Sequence, residues 1–111
     1  MAYDEELAGR IRDLIAGERG VAEKKMFGGL AFLVDGNMSV AASGQGGLLV
    51  RVDPDESDGL LKKPGVQLME MGGRSMAGWL RVEADAVRTK KQLAVWVERG
   101  LGFARSLPPK S

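Results

Sequence analysis

A chain of 111 residues, 44% of them hydrophobic, can build one domain around one core and is too short for two ordinary ones. It holds no cysteine and no histidine, which excludes disulfides, thiolate nucleophiles, Cys-type zinc sites and the commonest neutral-pH general base. Its 16 Lys and Arg against 15 Asp and Glu leave a formal net charge of +1, so nothing in the bulk charge drives binding to nucleic acid and only local patches remain.

The start, Met1-Ala2-Tyr3-Asp4-Glu5-Glu6, has neither the basic nor the apolar region of a signal peptide. No apolar run approaches the roughly 20 residues of a membrane span. These features lead to the expectation of a cytoplasmic domain that does not enter a membrane.

Tyr3, Leu7, Ile11, Leu14 and Ile15 recur at helical spacing. With Asp4 as cap, Glu5 and Glu6 at the positive end and Gly17 as stop, they predict a helix from Asp4 to Ala16. After Lys24 and Lys25 the chain enters a strand through Gly28-Gly29. In that strand Leu30, Phe32 and Val34 alternate with Ala31 and Leu33, and two apolar faces predict a central position. Asp35-Gly36 suits a type I′ turn, whose central residues both need positive φ.

A second strand is predicted from Met38 to Ala42, then a flexible loop through Ser43-Gly44-Gln45-Gly46-Gly47. A third strand follows from Leu48 to Val52, with Arg51 directed away from the core if Val50 and Val52 point into it. Asp53-Pro54 opens a short helix that carries Leu60 and Leu61 and ends before Pro64-Gly65. Val66 to Met71 reads as a weaker fourth strand. Gly72-Gly73-Arg74 forms a turn, and Met76 to Glu83 forms a fifth strand bearing Trp79, Leu80 and Val82.

The last helix starts at Asp85 or Thr89 and reaches Leu107, with Leu93, Trp96, Val97, Leu101, Ala104 and Leu107 in one stripe. Gly100 lies on that stripe at a helix cost of about 1 kcal/mol relative to alanine, which points to close approach of the sheet or a partner helix. Pro108-Pro109 ends the helix. The order α-β-β-β-α-β-β-α defines an α+β fold over residues 1–111, a single domain with an antiparallel sheet of about five strands and flanking helices.

Gly28-Gly29 is unlike a phosphate loop, because the glycines lead into a strand and no Gly-Lys-Ser/Thr follows; a bulge or close backbone contact is expected instead. The acidic run Asp53-Pro54-Asp55-Glu56-Ser57-Asp58 fails as a calcium loop, which would need glycine at Asp58 and glutamate at Pro64, and reads as helix-start carboxylates. Ser39, Ser43, Ser57, Ser75, Thr89 and Ser106 have no histidine to activate them, and no catalytic, metal or cofactor set can be assigned. The reading is a protein without enzymatic activity and without a cofactor.

Arg88, Lys91 and Arg99 share an arc of the last helix opposite its apolar stripe, an arrangement equally expected of any solvated helix face. With Lys24, Lys25 and Arg74 they are the candidate contacts for nucleic acid or a small anion. Met69, Met71 and Met76 flank Gly72-Gly73 and suggest a protein-binding edge. Gly100 with Val95 and Phe103 suggests a second packing face for a homodimer.

Several stretches resemble the TfoX/Sxy N-terminal domain family: Lys24-Lys25-Met26-Phe27-Gly28-Gly29-Leu30, Val34-Asp35-Gly36-Asn37-Met38, Leu49-Val50-Arg51-Val52, Gly78-Trp79, Trp96-Val97 and Ser106-Leu107-Pro108. The similarity runs from about Ala2 to Lys110, and Lys25, Met26, Phe27, Gly28, Gly29, Gly36 and Trp79 carry the family motif. It implies a fold like type III secretion chaperones. It also implies a link to natural competence, since full-length members act with the cyclic-AMP receptor protein and carry a further helical domain; this chain is expected to be a stand-alone N-terminal domain. The family offers no catalytic residues to carry over. The expected function is a non-enzymatic regulatory, protein-interaction domain of the competence type, with a transcription regulator as protein partner and a homodimer as a second assembly. The alternatives are a weak nucleic-acid-binding module, or a small-molecule or anion site near Gly28-Gly29 and Gly72-Gly73-Arg74.

Overall fold

Asp4 opens the first helix by accepting the main-chain N–H groups of Glu6 and Leu7 at 3.0 and 3.1 Å, two donors that the helix itself leaves unpaired. The computed structural model describes residues 3–26, 28–44 and 46–108, with Met71 by its main chain alone. The elements are α1 (Glu5–Ile15), β1 (Val21–Met26), β2 (Gly29–Val34), β3 (Asn37–Ala42), β4 (Leu48–Arg51), α2 (Pro54–Leu60), β5 (Val66–Met71), β6 (Arg74–Val82), a 3-10 turn at Ala84–Val87 and α3 (Lys90–Ser106). All six strands form one antiparallel sheet in the order β1-β2-β3-β4-β6-β5.

The α+β class and the antiparallel sheet agree with the sequence reading; the additional strand is β1. Val21–Met26 has exposed Ala22, Glu23, Lys24 and Lys25 at its centre, so it shows no alternation of apolar and polar residues. It is held by main-chain pairing to β2, from Val21 opposite Val34 to Met26 opposite Gly29. Edge strands carry charge in this way because an apolar edge would invite further pairing. Phe27, Gln45 and Pro109, which the sequence reading placed in the motif, the loop and the helix stop, lie outside the described residues.

The β2–β3 turn has Asp35 at φ +51° and Gly36 at φ +85°, the positive pair that a type I′ turn demands. A register shift between Phe32 and Leu33 marks a bulge in the β2–β3 ladder, and the buried Ser39 hydroxyl donates to the Phe32 carbonyl at 2.8 Å. On α2 the buried Ser57 Oγ accepts the Gly78 N–H at 2.8 Å and ties that helix to β6. At α3 the Thr89 Oγ1 accepts from Gln92 N while the Gln92 Oε1 accepts from Thr89 N, a complete capping box.

The main core lies between one sheet face and the helices. Phe32, Val34, Val40, Val50, Val52, Leu80 and Val82 meet Leu7, Ile11 and Ile15 of α1 and Leu93, Trp96, Val97, Leu101 and Ala104 of α3. Gly100 permits this contact: a Cβ there would stand 2.5 Å from the Ser39 carbonyl oxygen and 2.8 Å from Val40. The close approach read from the sequence is therefore to the sheet, and Gly100 is not available to a dimer face. Of its two companions, Phe103 is half-buried beside Arg51, and Val95 alone is exposed.

Candidate functional site

Strand residues alternate between faces, and register partners share one. The second face of the sheet therefore carries Ala31 opposite Ala41, Leu33 opposite Met38, and Ala41 opposite Leu49, with Met69 contributed by β5. These form a separate apolar cluster, joined at its margins by half-buried Met26, Leu33 and Trp79. No helix contributes a residue to this cluster among the described residues. Ala31 and Ala41 lie fully buried in its middle, beneath the larger side chains around them. A hollow of about 370 Å³ opens beside it, where Leu49, Met69, Gln67 and Arg81 meet.

Two cations border this face. Lys24 is the register partner of Ala31, and Arg81 is the partner of Leu49. Glu23 points the other way and takes a two-pronged hydrogen bond from Arg12 of α1, at 2.7 and 2.8 Å. That bond, with the Arg12 charge, holds the Glu23 carboxyl below the usual glutamate range. Arg51 is the register partner of Trp79, and its guanidinium lies over the Trp79 ring at 5.0 Å and the Phe103 ring at 5.5 Å.

The six cations singled out from the sequence do not converge. Lys24 and Lys25 occupy the edge strand β1 and point to opposite faces, while Arg74 begins β6, four strands away or roughly 19 Å along the sheet. Arg88 is engaged by Asp85 at 2.8 Å. Only Lys91 and Arg99 come together, along a groove of about 520 Å³ between the turn at residues 62–65, the 3-10 turn and α3. Lys63 joins them there. The sequence reading did not select Lys63, nor Arg81 on the sheet face. Arg81 was detectable two residues beyond Trp79 on the same strand; Lys63 had no periodic signal because it lies in a turn.

Gly28 and Gly29 form no anion cradle. A Cβ at Gly29 would clash with the Ala42 carbonyl, so this glycine lets β2 cross the start of the loop after β3. Gly28, at φ +72°, sits in the β1–β2 link with open space around it. At the other proposed turn, Met69 is buried opposite Met76 and belongs to the sheet-face cluster; the Met71 side chain lies outside the described residues. The hydroxyls considered as nucleophiles serve the fold at Ser39, Ser57 and Thr89, and Ser106 Oγ donates to the Phe103 carbonyl at 2.6 Å. Asp53 caps α2 by accepting from Asp55 N at 2.9 Å. Among the described residues no three carboxylates converge to hold a metal ion, and no helix is long and apolar enough to cross a membrane.

No curated protein and no solved structure is significantly similar to this chain. The model of the TfoX N-terminal domain matches residues 13–104, from within α1 to near the end of α3 and across every strand of the sheet. The motif residues Met26, Gly29, Gly36 and Trp79 thus occupy the end of β1, a close strand crossing, a type I′ turn and the margin of the second-face cluster, and the chain belongs to the TfoX N-terminal domain family.

Proposed function

We propose that this chain is a non-enzymatic protein-interaction domain in cytoplasmic transcription regulation of the competence type. The observation that carries the reading is the second sheet face, where a compact apolar cluster to which no described helix residue belongs is rimmed by half-buried Met26, Leu33 and Trp79. The half-buried rim of Met26, Leu33 and Trp79 over this cluster, with Lys24 and Arg81 at its borders, matches an amphipathic segment with an apolar stripe and acidic flanks. Methionine side chains adapt to such partners at little cost in packing. The structural engagement of the Ser39, Ser57, Thr89 and Ser106 hydroxyls supports the non-enzymatic part, and the scatter of the cations favours a protein over a nucleic-acid partner.

The test is capture from nuclease-treated extract of the native host with the intact chain and with Leu33→Glu and Arg81→Glu variants, each checked for unchanged thermal unfolding. A protein retained by the parent chain, lost by both variants and cross-linked through an acid-flanked apolar segment is the expected result. Retention by both variants, or loss of the partner on nuclease treatment alone, would overturn it.

A further inference from the structure

A second site lies on the opposite side of the molecule from that face and owes nothing to it. Lys91, Val95 and Arg99 follow one another at intervals of four along α3, so their side chains stand in a row. Trp96, with only 5% of its surface exposed, closes the groove floor beside this row, and Val95, 40% exposed, is a large apolar side chain left in water. Pro64 and Ala86 form the facing wall. The volume of about 520 Å³ falls in the range of sites that enclose a small organic molecule.

The charges around this groove are unequal. Lys63, Lys91 and Arg99 face Glu83 and Asp85, and Asp85 is already matched by Arg88 at 2.8 Å. Among the described residues no hydrogen bond or ion pair engages the ammonium groups of Lys63 and Lys91. The Arg99 guanidinium is held over the Trp96 ring at 4.9 Å. A guanidinium fixed by stacking loses little freedom when its fork meets a carboxylate or phosphate. Glu83 stands beside Gly65 and repels an anion from the turn end of the groove.

We propose that this groove binds a small amphiphilic anion, with its carboxylate or phosphate paired to Arg99 and its apolar body lying along Val95 toward Ala86 and Pro64. Lys91 and Lys63 add attraction without fixing the orientation. The shared chemistry is one anionic head on a flat or branched apolar body.

The experiment is an amide-resolved NMR titration of the full chain with three probes of one shape: 1-naphthoate, 1-naphthyl phosphate and the neutral 1-naphthalenemethanol. Saturable shifts should concentrate on Lys63, Gly65, Ala86 and residues 91–99, including the Trp96 indole. The neutral probe should bind about tenfold or more weakly than the better anion, and the ranking of the two anions tells a carboxylate from a phosphate ligand. Arg99→Gln should remove most of that preference while leaving the neutral probe unaffected, and Val95→Glu, an exposed change that spares the core, should abolish anion binding. Shifts that map to the sheet face, equal affinity for the neutral probe, or anion binding that survives both variants would overturn the proposal.

Discussion

Gly100 of α3 rests directly on the main chain of Ser39, the residue at the bulge of the β2–β3 ladder. Helix propensity alone favours alanine at position 100 by about 1 kcal/mol. The site forbids it, because the nearest atom to an added Cβ is a backbone carbonyl oxygen at 2.5 Å, which cannot rotate away. Overpacking of this kind costs about 1–3 kcal/mol and sometimes more. Gly100→Ala should therefore lower stability by about 1–3 kcal/mol in urea unfolding. The matched control, Gly102→Ala, meets nothing within 4 Å and should stabilise the helix instead.

Ile11 is fully buried where α1 meets the sheet and α3. Ile11→Ala should cost about 2–5 kcal/mol, the range for a large-to-small change in a site that cannot collapse completely. Thr89→Ala removes the hydroxyl half of the α3 capping box and should cost about 0.5–2 kcal/mol. Chemical denaturation of both variants checks the order, and a larger loss for Thr89→Ala would show that α3, not the α1 contact, limits stability.

The Glu23 carboxyl titrates below its ordinary value because Arg12 donates two hydrogen bonds to it. A depressed carboxylate stabilises the fold at every pH above the unfolded value of about 4.3, and this contribution disappears as pH falls through the lower folded value. Glu23→Gln should flatten that part of the acid limb in a plot of melting temperature against pH, leaving the neutral-pH slope unchanged. Side-chain NMR titration of Glu23 gives the direct reading: a normal midpoint in the parent chain, or a shift that persists in Arg12→Gln, would refute the pairing.

Arg51 lies over both Trp79 and Phe103. Each such contact contributes about 0.5–1 kcal/mol at a partly exposed site. Arg51→Lys keeps the charge but loses the planar stack, so it should destabilise by a good part of the about 1–2 kcal/mol expected for Arg51→Ala. If lysine restores full stability in thermal unfolding, charge rather than stacking holds this end of β4.

Much of the architecture was readable along the chain because it depends on local chemistry. The cap at Asp4, the Asp35-Gly36 turn, the Asp53-Pro54 helix start and the stripe of α3 each follow from a few neighbouring residues, and each stands where the spacing put it. β1 was not readable, because an exposed edge strand is chosen by the main-chain groups it pairs with rather than by burial of its side chains. Nor did the sequence alone say whether Gly100 met the sheet or a second chain.

The candidate surfaces divide the same way. By itself the sequence determined an α+β domain without histidine or cysteine chemistry, and it supplied the residues that mark the TfoX N-terminal domain family. Only the tertiary structure decided which cations share a surface: it brought Lys63 from a turn to Lys91 and Arg99 on a helix and kept Lys24 and Arg74 four strands apart. It also built an apolar cluster on the second sheet face that contains no helix residue among the described ones. The physical reason is range. Caps, turns and stripes are set by dihedral preferences and spacing within a few residues, whereas a groove or a cross-strand cluster is set by which distant segments the core brings side by side.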